Sequence, residues 1–241
     1  MEKEKKIRIE SDLLGELKVP ANAYYGVQTQ RALYNYCISK TKMKNYPDFI
    51  ISFAYIKKAA AMANAEVGAL DSNIADAIEK AADEIIHGAL WDNFPIDMMQ
   101  GGAGTSVNMN ANEVIANRAL EIMGHQKGEY QYCMPNDHVN CGQSTNDTYP
   151  TAIRYAVIRM NKKLIASLEK LIDELHEKGN QFKDDVKMGR TQLQDAVPMT
   201  SGQEFHAFAN NLTEEISNID RNEKLLHEIN MGGTAIGTGL N

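Results

Sequence analysis

Three polar segments of the sequence carry side chains that could bind an anion. In the first, MQGGAGTSVNM, the glycines Gly101, Gly102 and Gly104 precede Thr105 and Ser106. Glycines let a backbone approach a ligand closely, and the free N–H groups at the start of a helix attract anions. The segment therefore predicts an anion site, although a glycine-rich turn with a Thr or Ser helix cap explains it equally well. It matches neither a Walker A loop nor a GxGxxG fingerprint.

The second segment, PNDHVNCGQSTNDTYP, has four consecutive hydrogen-bonding side chains before the longest predicted helix. They are Ser144, Thr145, Asn146 and Asp147. Four such groups are more than one helix cap requires, so they predict further donors for an anion. The alternative is that Asn146 or Asp147 caps the helix and the others are solvated. His138 could be an acid or a base, but we favour a hydrogen-bonded structural role, which is commoner for a lone histidine among Asn and Asp.

The third segment, GRTQLQDAVP, joins the two longest predicted helices. Its polar residues are Arg190, Thr191, Gln192, Gln194 and Asp195. An arginine beside hydroxyl and amide donors would suit a carboxylate. A solvated polar connection is the simpler alternative, and the segment alone does not decide between them.

Hydrophobic periodicity predicts the all-α, mainly helical fold that would position these segments. Apolar residues recur every three or four positions over roughly 47–70, 72–90, 148–187 and 201–230. Pro47 suits the first turn of a helix, and Ser201 with Glu204 predicts a capping box. Residues 1–46 predict an irregular arm with a possible strand at 7–9, and residues 186–200 predict a polar linker.

The two long helices cannot bury their apolar stripes by themselves. We therefore expect a small helical N-terminal domain over 1–147 and the first part of a central long-helix bundle over 148–241. Helices from other subunits, or from a further part of the chain, would complete the bundle. The glycine-rich ending GGTAIGTGLN resembles a connection to a further segment, so we expect a fragment of a longer protein.

Composition and charge exclude several classes of partner. A formal net charge of -7 gives no basic signal for nucleic acid or an anionic membrane. The charged N-terminus lacks an apolar signal region and no run of about 18 apolar residues occurs, which predicts a cytoplasmic protein that neither enters nor binds a membrane. Three cysteines without CxxC spacing and scattered histidines predict neither disulfides nor a metal site.

The three segments together resemble one family, the aspartase/fumarase superfamily. The resemblance extends from VPANAYYGVQTQRA through GGAGTSVNMNANEVIANRA, PNDHVNCGQSTNDTYPTAIR and MGRTQLQDAVPMTSGQEF to INMGGTAIGTGLN. QSTND and GRTQLQDA resemble the form associated with aspartases, whereas fumarases usually have QSSND and GRTHTQDA. The resemblance implies reversible deamination of L-aspartate to fumarate and ammonia through an enediolate-like intermediate. A fumarase-type hydration of fumarate to malate is the alternative.

The resemblance also implies roles for individual residues. Thr105, Ser144, Thr145 and Asn146 would bind the substrate carboxylates, and Thr191 and Gln192 would contact the end that carries the amine. Gln192 stands where relatives often have histidine, so an amide replaces a titratable group there. The full predicted substrate site is Thr105, Ser106, Asn140, Ser144, Thr145, Asn146, Thr191 and Gln192, supported by His138 and Arg190.

The family's proton-abstracting serine lies in a GSSxMPxKxN pattern that these 241 residues do not contain. The resemblance therefore places the catalytic base beyond Asn241 and predicts no lyase activity for this chain alone. It also implies a homotetramer whose sites each combine three subunits. No cofactor is predicted, although some members of the family are activated by a divalent cation at a separate site. For the chain by itself, a non-catalytic helical assembly module is a further alternative.

Overall fold

The computed structural model describes residues 6–240, which form two compact units. The first unit contains the chain up to Ala156 together with the segment from Ile229, and the second contains Val157–Glu228. Both are mainly helical, which confirms the predicted fold class, although four short β-strands also occur among these residues. Within residues 6–240, no helix has the length and apolar character needed to cross a membrane.

Helices α2 (Pro47–Glu66), α3 (Ser72–Ile86) and α4 (Thr105–Ile122) form the core of the first unit. The predicted Pro47 start of α2 is confirmed, and Asp71 caps α3 by accepting a hydrogen bond from Asn73 N at 2.8 Å. Both helices end earlier than predicted because Gly68 and Gly88 adopt left-handed φ angles of 75° and 103°, which terminate a helix. Fully buried side chains of this core include Ile50, Phe53, Ile78, Ala82, Ile85, Val114, Ile115 and Leu120.

The N-terminal arm is more regular than predicted. Strands β1 (Ile7–Asp12) and β2 (Gly15–Pro20) form an antiparallel hairpin, which confirms and extends the strand expected at 7–9. Helix α1 (Val27–Asn35) follows, where the sequence predicted irregular structure. That prediction was wrong because α1 is capped by acidic side chains from distant parts of the chain.

Glu113, near the middle of α4, supplies most of this cap. Its carboxylate accepts hydrogen bonds from Gly26 N and Gln28 N, each at 2.8 Å, and from Thr29 N at 3.1 Å. Glu10 accepts from Val27 N at 2.8 Å. Burial raises the pKa of Glu113 to about 7, although the hydrogen bonds from Thr29, Gln28 and Gly26 oppose the rise.

We expect Glu113 to make the free energy of unfolding pH-dependent. Its pKa is about 7 in the folded chain against an ordinary value of 4.5, so the folded state binds the proton more tightly. Protonated Glu113 therefore contributes its full stabilisation below about pH 4.5. As the pH rises to about 7, this contribution to the free energy of unfolding falls by about 3 kcal/mol. Relative to Glu113→Gln, the unsubstituted chain should lose this amount over that range in chemical denaturation. A constant difference between the two proteins from pH 4.5 to 7.5 would contradict the assignment.

Helix α5 (Thr145–Gln181) is the longest element, 37 residues or about 55 Å. It begins three residues earlier than predicted, since Ser144 rather than Asp147 is the first capping residue. Its residues up to Ala156 belong to the first unit. Gly179 is helical, and a Cβ at that position would lie 2.7 Å from His206 Cε1 and Nε2 in the second unit.

The second unit contains the rest of α5, strands β3 (Val186–Thr191) and β4 (Gln194–Thr200), and helix α6 (Ser201–Glu223). The polar linker predicted over 186–200 was therefore wrong, because these residues form an antiparallel hairpin. The capping box also differs from the prediction: Thr200 and Gln203 make it, because Thr200 is the last extended residue of β4 and Ser201 is already helical. Helix α6 ends short of residue 230 in a 3₁₀ turn, Lys224–His227.

Small and aromatic residues pack the start of α6 against the end of α5. Gly202 N donates a hydrogen bond to Phe182 O at 3.0 Å, and the rings of Phe182 and Phe205 lie 5.8 Å apart. His176 Nδ1 and His206 Nδ1 are 2.9 Å apart. These contacts hold the two helices of the second unit together at the base of its hairpin.

Candidate anion-binding site

The first turns of α4 and α5 lie side by side in the first unit. Asn108, buried in α4, donates from Nδ2 to Thr145 Oγ1 and to Asn140 Oδ1, each at 3.1 Å. Thr148 Oγ1 donates to Asn108 Oδ1 at 2.9 Å. One asparagine therefore uses both of its donors and its acceptor to join the first and second polar segments.

A glycine allows this close approach. Gly104 has a left-handed φ of 88°, and a Cβ at this position would overlap the ring of Tyr149 on α5. Thr105 is exposed and Ser106 is half-buried directly after it. No protein acceptor is found within residues 6–240 for the backbone N–H groups of Thr105, Ser106 or Thr145. Such N–H groups at two adjacent helix starts attract negative charge.

Ser144 and Asp147 cap α5 reciprocally. Ser144 N donates to Asp147 Oδ2 at 2.9 Å, and Asn146 N donates to Ser144 Oγ at 3.2 Å. The capping alternative thus accounts for Asp147 and for one lone pair of Ser144. Capping does not account for the hydroxyl of Thr145. That oxygen accepts a hydrogen bond from Asn108 Nδ2, so its own proton is left to donate to another group.

The segment after Ile229 returns to this cap, which the sequence did not predict. Thr234 N donates to Asp147 Oδ1 at 2.7 Å, and Asn146 Nδ2 donates to Ala235 O at 2.5 Å. Thr234 has a φ of 57°, unfavourable for a β-branched residue. This strained turn therefore fixes Oδ1 of Asp147 and the side chain of Asn146, while Ser144 N holds Oδ2 of Asp147.

Asn140 and His138 lie in or next to a π-helical turn, Pro135–Val139. Met134 N donates to His138 Nδ1 at 2.9 Å, so the histidine ring is bonded to its own turn. Asn140 Nδ2 donates to Gln143 O at 2.9 Å. These bonds shape the loop that leads into Ser144.

Buried asparagines of α4 are the site residues that sequence reasoning missed. Asn112 donates from Nδ2 to Asn140 Oδ1 at 3.2 Å, on the same face of α4 as Asn108. Both side chains are at most 1% exposed. The signal was present in the spacing, because positions 108 and 112 share one helix face and a buried amide requires hydrogen-bond partners.

The third polar segment lies in the second unit, at the tip of its hairpin. Arg190 is exposed and lies 3.6 Å from Asp195 between Nη2 and Oδ1. Thr191 pairs with Gln194, and the two-residue turn between them is Gln192 and Leu193. Of the eight predicted substrate residues, the first unit thus contains Thr105, Ser106, Asn140, Ser144, Thr145 and Asn146, and the second contains Thr191 and Gln192.

This turn is strained, since Gln192 and Leu193 have φ angles of 48° and 66°. Two-residue turns with two positive φ angles normally have Asn or Gly at these positions. Leu193 is 98% exposed, so its side chain gives no packing energy in return. Leu193→Gly should therefore raise the free energy of unfolding by about 0.5–1 kcal/mol in chemical denaturation. Val197→Gly, in an exposed position of β4, should lower it; stabilisation by both substitutions would contradict the strain argument.

Residues 6–240 contain no cluster of metal-ligand side chains. No group of three or more His, Cys, Asp or Glu suited to a metal ion occurs in that range. Cys37, Cys133 and Cys141 are free thiols, and burial raises the pKa of Cys133 to about 12, which keeps it protonated.

Comparison with known proteins assigns the class. A family model described as a lyase matches residues 15–241, and the chain belongs to this lyase family. It is 57% identical over 236 residues to the aspartate ammonia-lyase of Escherichia coli (strain K12), an alignment that covers 98% of this chain and 49% of that protein. The chain spans about half the length of the curated relatives that it matches.

Two solved structures share the fold. The cobalt-bound fumarate lyase:delta crystallin from Brucella melitensis is similar with a TM-score of 0.94 and 49% identity, over 98% of this chain and 51% of that one. A recombinant class II fumarase from Schistosoma mansoni gives a TM-score of 0.88 and 39% identity, over 98% and 49% of the two chains. The fold therefore occurs both in a protein named a fumarate lyase and in a class II fumarase. The fold alone does not distinguish a lyase that acts on aspartate from a fumarase.

Proposed function

We propose that this chain carries the carboxylate-binding part of an aspartate ammonia-lyase, a carbon–nitrogen lyase that converts L-aspartate to fumarate and ammonia. The observation that supports it is the pairing of the α4 and α5 helix starts through Asn108, which presents Thr105, Ser106, Thr145 and Asn146 together. The identity to aspartate ammonia-lyases favours this substrate over malate.

The proposed chemistry needs these donors because charge accumulates on one carboxylate. Removal of the proton next to that carboxylate forms a dianionic, enediolate-like centre, from which ammonia departs to leave the double bond of fumarate. Fixed hydroxyl, amide and backbone N–H donors stabilise that charge without reorganising. Ser144, Thr145 and Asn146 would bind this carboxylate with Thr105 and Ser106.

The remaining assignments complete the proposed site. Asn140 and His138 shape the approach to Ser144, while Thr191, Gln192 and the supporting Arg190 would contact the end that carries the amine. The base that abstracts the proton is proposed to lie outside these 241 residues. The proposed domains are 1–147, the helical N-terminal domain, and 148–241, the first part of the central helical bundle.

Oligomer formation is proposed from the apolar surface of the second unit. Exposed fractions of 38% to 50% occur along its helices, at Val157, Met160, Leu164, Leu171 and Phe208. Further helices from a homotetramer would cover such side chains. Light scattering of the full-length parent, meaning this chain extended to the length of its relatives, should give four subunits. The cytoplasmic location and activation by a divalent cation stay predictions from the sequence.

The activity test follows the absorbance of fumarate. Purified full-length parent should form fumarate from L-aspartate faster than from L-malate, since Gln192 offers an amide rather than an imidazole. Faster reaction with malate would favour the fumarase-type alternative, for which the Schistosoma mansoni structure is the specific support. The 241-residue chain alone is predicted to form none, and measurable fumarate from it would contradict the assignment of the base.

A non-catalytic assembly role is the remaining candidate for the chain by itself. Alanine at Thr145 and Asn146 of the full-length parent separates it from the lyase. Loss of fumarate formation with an unchanged oligomer supports the lyase. Unchanged activity with an altered oligomer would support assembly.

A further inference from the structure

Lys57 of α2 is a wholly buried lysine directly behind the candidate site. Its exposed fraction is 0%. Its Nζ donates to Asn140 Oδ1 at 2.8 Å and to Gln143 Oε1 at 3.0 Å. Both acceptors are neutral carboxamide oxygens, whereas a buried ammonium in a protein is ordinarily paired with a carboxylate. Among residues 6–240, the Lys57 amine thus has no directly bonded carboxylate.

The two carboxamides connect this ammonium to the site. Asn140 Oδ1 also accepts from Asn108 and Asn112, so Lys57 is one of three donors that meet at one oxygen. Gln143 Nε2 donates to Val139 O at 3.0 Å, and Gln143 directly precedes the Ser144 cap. Removing the ammonium would therefore take one hydrogen bond from each of the two side chains that shape the entrance to α5.

Asp147 is the acidic side chain whose charge acts on Lys57, and it is bonded to other groups. Burial lowers the pKa of Lys57 well below its ordinary value, and the opposing influence comes from Asp147 of α5. Asp147 is bonded to Ser144 N and Thr234 N. On other elements packed against α2, Asp83 of α3 is bonded to Lys58, Glu113 of α4 to the start of α1, and His138 of the π-helical turn to Met134 N.

We propose that Lys57 is a positioning residue of the carboxylate site and that its ammonium is the buried charge that balances a bound dicarboxylate. The inference rests on the proposed function. A dianion held by the α4 and α5 helix starts favours the protonated form of Lys57, so binding takes up a proton wherever the free protein holds the lysine partly neutral. The protonated lysine in turn fixes Asn140 and Gln143, and through Asn108 the hydroxyl of Thr145.

The test uses the full-length parent and succinate, a dicarboxylate that cannot react. Titration calorimetry at several pH values from 7 to about 10, in two buffers of different ionisation enthalpy, measures protons taken up on binding. The unsubstituted protein should take up a substantial fraction of one proton per site within this range. Lys57→Met should take up less and bind succinate about tenfold more weakly, with an affinity that depends less on pH.

Lys58→Met is the matched control. Lys58 is the next residue of α2, but its ammonium is partly exposed and paired with Asp83 at 2.7 Å, so the control should match the unsubstituted protein. Equal affinity and equal proton uptake in Lys57→Met and the unsubstituted protein would overturn the inference while leaving the lyase assignment intact. Absence of succinate binding in the unsubstituted protein would remove both.

A second variant covers a folding failure of Lys57→Met. Lys57→Arg keeps a positive charge at every pH in the range, so it should bind succinate without the proton uptake of the unsubstituted protein. Undiminished uptake in Lys57→Arg would overturn the role of Lys57. If the unsubstituted protein takes up no protons when succinate binds, the role of Lys57 is overturned without the need for any variant.

Discussion

Replacing Thr145 with alanine should lower kcat/KM of the full-length parent for aspartate about 100- to 1000-fold. Its hydroxyl accepts from Asn108 at the start of α5, which leaves the proton free to donate to a substrate carboxylate. Loss of one donor to a developing oxyanion has an effect of this size in other enzymes. Steady-state assays of fumarate formation, with thermal unfolding of the same samples, measure it.

Two variants show whether the hydroxyl itself is responsible. Thr145→Ser keeps the hydroxyl and should retain most of the activity. Ser167→Ala removes a hydroxyl of the same helix whose bond is to Lys163 O in its own backbone, and it should leave kcat/KM unchanged. Activity within threefold of the unsubstituted protein in Thr145→Ala would remove Thr145 from the site.

Gly104→Ala should produce the largest loss of stability, about 3–4 kcal/mol of the free energy of unfolding. Two effects add: alanine is disfavoured at a φ of 88°, by about 1–2 kcal/mol, and its Cβ would overlap the ring of Tyr149. That ring cannot move freely, because it packs edge-on against Phe49 at a centroid distance of 5.7 Å. Chemical denaturation measures the loss.

Gly102→Ala separates the two effects. Gly102 has a φ of 73° in the same loop, but a Cβ there would meet no atom within 4 Å. Its substitution should lower the free energy of unfolding by only about 1–2 kcal/mol. Equal losses for the two variants would show that the Tyr149 ring yields, and the close approach of α4 and α5 would then not depend on Gly104.

Elements with local signals were predictable from the sequence. Pro47 marks the start of α2, and apolar periodicity indicated the approximate extents of α3 and α5. Helix α1 was missed because its N–H groups are capped by Glu113, more than 80 residues away along the chain. The hairpin β3–β4 was missed because Gln192 and Leu193 do not form a recognisable turn sequence.

The candidate site was predicted as separate segments, and its construction was not. Thr105 and Thr145 could be identified from their helix starts and from the family resemblance. Their meeting depends on Asn108 and Thr148, which are buried and appear in the sequence as ordinary helix residues. The contribution of Thr234 depends on a chain reversal of 87 residues, for which no local pattern exists.

The bond between Asp147 and Thr234 has a consequence for the order of folding during synthesis. The first unit is discontinuous in sequence. All of Val157–Glu228 therefore leaves the ribosome before the segment from Ile229 that completes this unit. Closing a loop of this length is entropically unfavourable and slow compared with forming α2, α3 and α4 from near neighbours. A nascent chain arrested before Thr234 would therefore hold a packed helical core while Asp147 and Asn146 still lacked their final partners.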